Sequence, residues 1–63
     1  AQATAEVIAS TLNVRSGQGT TYPVIKSIKQ GIRVNMYETV GGWCRIHPVE
    51  QHWVASRYLQ VVE

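Results

Sequence analysis

Thr11-Leu12-Asn13-Val14-Arg15-Ser16-Gly17-Gln18-Gly19-Thr20-Thr21-Tyr22-Pro23-Val24-Ile25 is the stretch whose reading decides the fold. Leu12 and Val14 alternate with Asn13 and Arg15, the period of a strand with one dry face and one wet face. The run ends at Gly17 and Gly19, which permit backbone angles other residues avoid. It resumes after Pro23, whose ring fixes φ and removes a backbone donor. A strand therefore runs into a glycine-hinged loop carrying one aromatic, Tyr22, and then into a second strand over Val24–Ile28. Val24 and Ile25 are both apolar, so the facing of that second strand is open.

Outward from this stretch the pattern repeats. Residues 4–9 mix small and β-branched side chains and read as a first strand at a sheet edge. Lys29-Gln30-Gly31 is a turn signal. Ile32–Thr39 is the clearest strand, with Ile32, Val34 and Met36 on one face and Arg33, Asn35 and Tyr37 on the other. Gly41-Gly42 supplies the positive φ values of a tight hairpin. The return strand, Trp43–His47, puts Cys44 and Ile46 on one face and Trp43, Arg45 and His47 on the other. Pro48–Gln51 turns the chain, His52–Ala55 makes another short strand, Ser56–Leu59 suits a single 3₁₀ turn, and Val61-Val62 closes.

Five to six short strands with no helix of standard length predict an all-β fold, a small antiparallel β-barrel whose closure removes exposed edges. The expected core is Val7, Leu12, Val14, Ile28, Ile32, Val34, Met36, Cys44, Ile46, Val54 and Leu59. The 63 residues, 1–63, suffice for one domain, its core spanning about residues 5–61. A chain this short buries only about 60% of its unfolded surface.

Composition excludes several classes. Apolar residues at 44% against 16% charged describe a folding chain rather than a disordered one. No apolar run approaches the roughly 18 residues of a membrane span, so no membrane insertion is expected. The formal charge of +2 is the excess of six basic over four acidic residues, and the basic ones are scattered rather than set in the stripe of a nucleic-acid binder. Cys44 is the one cysteine, so no internal disulfide forms. No targeting segment is visible.

The chemistry-bearing side chains point to binding rather than catalysis. Parity places Trp43 and Trp53 opposite the core-facing Ile46 and Val54, hence outward, where with Tyr58 they form an aromatic groove flanked by Tyr22 and Arg45. Such rings offer wide apolar contact at little entropic cost. Arg15, Arg45 and Arg57 are candidates to grip carboxylates, Arg45 first because it shares the Trp43 face. Cys44, His47 and His52 are the residue types of a metal or thiol site, but their placement does not favour one. On a strand Cys44 and His47 face opposite ways, and zinc needs three or four converging ligands. Gly17 and Gly19 precede no helix and no suitably placed lysine, so they are not a phosphate loop. Glu6, Glu38, Glu50 and Glu63 form no catalytic pair. No catalytic residue, metal or cofactor is expected.

Leu12-Asn13-Val14-Arg15-Ser16-Gly17-Gln18-Gly19-Thr20, Tyr22-Pro23-Val24-Ile25, Gly31, Gly41-Gly42-Trp43 and Trp53-Val54 with Ser56-Arg57-Tyr58-Leu59 together resemble the bacterial SH3-like domain, from about Ala5 to Val61. The resemblance implies a small barrel without catalysis, carried by exported, periplasmic or cell-wall-associated proteins and often set beside wall hydrolases. It implies recognition of peptidoglycan or its peptide stems, or packing against a neighbouring domain or partner protein. The chain departs from the family at Gln18, where proline is usual, and at His52, where glycine is usual. Eukaryotic SH3 domains share the architecture and bind proline-rich helices. Trp43 and Tyr58 resemble their groove aromatics. Ala55 stands where they carry a groove proline, and the acidic residues that select basic peptides are absent from the Arg15–Pro23 loop, which argues against a proline-rich ligand.

Overall fold

In a computed structural model that describes residues 3–62, β2 (Thr11–Arg15) buries Leu12 and Val14 and leaves Thr11 and Asn13 in solvent. The alternation works because successive side chains of a strand leave opposite faces. β3 (Val24–Lys29) returns antiparallel, with Leu12 opposite Ile28 and Val14 opposite Lys26. Between Val14 and Arg15 the register shifts, so that Arg15 meets Val24 and Ile25 is the extra residue of a bulge. The bulge explains the unreadable facing of this strand: Val24 and Ile25 both end up exposed.

Five strands form one sheet in the order β3-β2-β7-β6-β5, and three form the other in the order β4-β1-β8. Here β1 is Ala3–Val7, β4 Arg33–Met36, β5 Glu38–Val40, β6 Trp43–Arg45, β7 Trp53–Ala55 and β8 Leu59–Val61. All pairings are antiparallel. A 3₁₀ turn, Ser56–Tyr58, joins β7 to β8, and no α-helix occurs among the described residues. The fold is all-β and SH3-like, with eight described strands, more than the five to six expected.

The surplus arises largely because the long strand expected over Ile32–Thr39 is two strands in different sheets. The chain leaves its pairing with β1 at Met36, and the Tyr37 N–H donates to the Arg45 carbonyl at 2.9 Å, starting the pairing of β5 with β6. The first strand is likewise not an edge. β1 lies between β4 and β8, with Ala5 opposite both Val34 and Val61, and it ends at Val7 rather than residue 9. Flanked by a strand on each edge, β1 buries Ala5 and Val7 fully on its inner face, while Thr4 and Glu6 on the other face stay partly exposed.

Gly41 and Gly42 adopt φ of +56° and +84° and close the two-residue hairpin between Val40 and Trp43. The core gathers Val7, Leu12, Val14, Cys44 and Val54, with Ile28, Met36, Ile46 and Leu59 packed around them. Val34 is half-buried. Ile32 does not join the core. It stands 48% exposed, because β4 begins only at Arg33 and Ile32 still belongs to the turn, its N–H on the Lys29 carbonyl.

Candidate functional site

The register of β6 and β7 sets the geometry of the outer face. Trp43 lies opposite Ala55, Cys44 opposite Val54 and Arg45 opposite Trp53, and Trp53 also pairs with Arg15. Cys44 and Val54 point into the core, so Trp43, Ala55, Arg45, Trp53, Arg15, Asn13 and Thr11 share the other face. Ala55 is small, and beside Trp43 it leaves a depression.

That depression is a hollow of about 410 Å³ lined by Ala9, Thr11, Leu12, Asn13, Arg15, Thr20, Trp43, Ala55, Arg57 and Tyr58. A second hollow of about 360 Å³ lies at the Gly42 end and shares Thr20, Trp43, Ala55 and Arg57 with the first. The two make one groove along Trp43. Tyr58 is 37% exposed, and the Arg57 guanidinium lies 4.9 Å from the centre of its ring.

Both walls are held by hydrogen bonds. One Arg15 guanidinium nitrogen donates to the carbonyls of Thr20 at 3.1 Å and Tyr22 at 3.0 Å, tying the Ser16–Pro23 loop to the end of β2. The Ser56 N–H and hydroxyl both donate to the Gly42 carbonyl, at 2.9 Å and 3.0 Å, pinning the 3₁₀ turn to the β5–β6 hairpin. Order in both walls lowers the entropy lost when a ligand is bound.

Of the five expected site residues, the structure brings Trp43 and Tyr58 together and sets the other three apart. Trp53 is only 1% exposed, a correction to its expected outward display. Parity gave its face correctly. However, β2 ends at Arg15 and β6 at Arg45, so the loops Ser16–Pro23 and Ile46–His52 both leave the sheet beside it. Its indole N–H donates to Gln51 Oε1 at 2.9 Å. Tyr22 stays half exposed but lines neither hollow, its ring lying over Gly17. Arg45 is committed elsewhere: its Nε meets Glu38 Oε1 at 3.4 Å, a second nitrogen donates to the His47 carbonyl, and the guanidinium lies 5.8 Å from the Tyr37 ring centre.

Thr11, Asn13 and Thr20 are groove residues that the sequence reading misses, and they are joined there by Arg57 and Arg15, two of the three arginines named as carboxylate candidates. The signal for Thr11 and Asn13 was present, since they alternate with the buried Leu12 and Val14. Nothing in the local sequence brings Thr20 or Arg57 to them.

Cys44 is fully buried, and burial raises its thiol above the ordinary range; a hydrogen bond with Thr39 and the nearby Arg45 charge pull weakly the other way. His47 Nδ1 accepts the N–H groups of Val49 and Glu50, and His52 Nε2 lies 3.1 Å from Glu50 Oε1. Among the described residues no three His, Cys, Asp or Glu side chains converge as metal ligands. No helix among them is long and apolar enough to cross a membrane.

Comparison with known proteins agrees with this architecture. A D-alanyl-L-alanine endopeptidase of Streptococcus phage B30 is 54% identical over 33 residues, which cover 51% of this chain and 7% of that protein. The chain thus matches only a small part of that relative. The pattern of the bacterial SH3 domain matches residues 10–60, from the start of β2 through the groove strands to β8. The chain belongs to the bacterial SH3 domain family.

Proposed function

We propose that the chain is a non-catalytic targeting module. It recognises cell-wall peptidoglycan, through its peptide stems, for an exported or wall-associated protein that carries it. One observation bears most of the weight: the groove along Trp43, with Tyr58 at one end and both walls hydrogen-bonded in place. The small apolar side chains of Ala9 and Ala55 suit the alanine-rich part of a wall peptide, and Thr11, Asn13 and Thr20 offer hydrogen bonds to its amides. The name of the phage relative specifies a bond between D- and L-alanine, the chemistry of such peptides, which supports the same ligand class. The 63 residues are read as one binding domain.

A pulldown with insoluble peptidoglycan tests this, run beside Trp43→Ala at two salt concentrations. Capture that is lost in Trp43→Ala, with the variant still folded, supports the groove. A folded wild-type chain that is not captured refutes it.

A different surface favours a second reading. Val24 and Ile25 are about half exposed, 47% and 48%, on the edge strand β3. An apolar sheet edge fits packing against a neighbouring domain or partner protein. On that reading the isolated chain ignores wall material, and substitution of Val24 rather than Trp43 disrupts the contact.

A further inference from the structure

We propose that Arg57 is the residue by which the groove selects its ligand, gripping a carboxylate of the bound peptide in a two-pronged contact. The inference rests on the wall-peptide reading and adds to it the charge of the group recognised.

Three observations carry it. First, Arg57 lines both hollows, as Trp43 does, and so stands where they meet. Second, among the described residues it is the basic side chain of the groove with no competing commitment. Arg15 also lines the groove, but one of its nitrogens is occupied by the carbonyls of Thr20 and Tyr22. Arg45 is outside the groove and paired with Glu38. Third, among the described residues no carboxylate lines either hollow. The three described glutamates sit with other partners: Glu6 with Arg33 at 3.8 Å, Glu38 with Arg45 and Glu50 with His52. Among the described residues the groove is thus cationic, with no carboxylate to neutralise it.

The mounting of Arg57 favours recognition over a loose surface charge. A guanidinium resting on an aromatic ring keeps its planar fork of donors while losing rotamer freedom, so less entropy is lost when an anion binds. One such fork matches one carboxylate, with two parallel N–H donors to its two oxygens. A polymer of phosphates calls instead for a row of basic residues. Lys26 and Lys29 are on β3, at the far edge of the same sheet, and Arg33 is on β4 in the other sheet, none of them lining the groove. The occupant is therefore a peptide carboxylate, a free C-terminus or an acidic side chain, beside an apolar segment lying on Trp43 and Tyr58.

The test uses insoluble peptidoglycan in three forms: with its phosphate polymers, stripped of them by acid, and stripped and then amidated at its carboxyl groups. Wild type, Arg57→Gln, Arg57→Lys and Trp43→Ala are compared, each first shown to melt as a folded protein. Arg57 is exposed on a turn, so both replacements are expected to fold. The expected result is tight binding of wild type to stripped wall, weakened about tenfold by Arg57→Gln and by amidation alike. Arg57→Lys is expected to restore little of it, because an ammonium lacks the fork. If amidation and Arg57→Gln change nothing while Trp43→Ala abolishes binding, Arg57 is not the selector and the groove reading stands. If Trp43→Ala and Arg57→Gln both bind as wild type does, the groove reading fails and this inference with it. Binding that disappears on stripping names phosphate as the anion and overturns the carboxylate. Full recovery with Arg57→Lys overturns the two-pronged contact.

Discussion

Trp43 lies directly opposite Ala55 across β6 and β7, so the widest aromatic surface of the groove is neighboured by one of the smallest side chains. A methyl group there leaves the indole face open to a ligand. Ala55→Leu would fill the hollow with three more carbons while keeping the strand paired. The expected outcome is a folded protein whose affinity for wall peptide falls by about tenfold, or about 1.4 kcal/mol. Isothermal titration with a soluble wall fragment would measure it, and unchanged affinity would mean the ligand bypasses this hollow.

The two tryptophans should behave oppositely. Trp53 is buried and its N–H is satisfied by Gln51, whereas Trp43 is partly exposed beside the groove. Truncating a buried tryptophan costs about 3–5 kcal/mol. A chain this size has only a few kcal/mol of stability in total. Trp53→Ala is therefore expected to unfold the chain, and Trp43→Ala to remain folded. Circular dichroism on melting distinguishes them, and a stably folded Trp53→Ala would contradict the burial argument.

Gly17 is held close by Tyr22. A Cβ at position 17 would come within 2.5–2.6 Å of Cε1 and Cγ of the Tyr22 ring, closer than real carbons approach. Gly17→Ala must displace that ring and with it the loop that Arg15 secures. A loss of about 1–3 kcal/mol is expected. Combined with Tyr22→Ala the penalty should shrink, because the obstructing ring is gone. Urea denaturation of both single variants and the double variant tests the coupling; strict additivity would show that the ring is not the cause.

Cys44 gives the protein an alkaline limit. Its thiol is raised in the folded state, chiefly by burial, above the ordinary 9.0. The unfolded thiol ionises first as pH rises, so the unfolded state gains and stability falls through the folded pKa; below about pH 9 the contribution is intact. Comparing Cys44→Ala with wild type isolates the group from the titrating tyrosines and lysines. The stability advantage of wild type over Cys44→Ala is expected to be constant near neutrality and to narrow above about pH 9. An advantage that does not change with pH would mean that Cys44 ionises equally in both states.

The parts of the fold legible in the chain are those written in nearest-neighbour terms. The alternation of Leu12 and Val14 with Asn13 and Arg15 named the buried face of β2. Gly41-Gly42 named the hairpin, and its backbone angles are those such a turn demands. The same alternation identified the faces of Trp43 and Trp53 correctly. What it left open was which side of a strand the rest of the chain would cover.

By itself, then, the sequence determined that this chain forms short antiparallel strands, where most of them turn, which side chains oppose one another in facing, and the family whose pattern they match. The tertiary structure alone decided that Ile32–Thr39 divides at Tyr37 between two sheets, that β1 lies at the centre of its sheet, that Trp53 is enclosed while Trp43 stays open, and that Arg57 meets Trp43 and Thr20 at one groove. The physical reason is range. A strand's period of two and a turn's backbone angles are set by adjacent residues. Burial of a given face depends on sheet curvature and on loops that return from distant positions. The charge of the groove likewise depends on which arginines have found partners elsewhere.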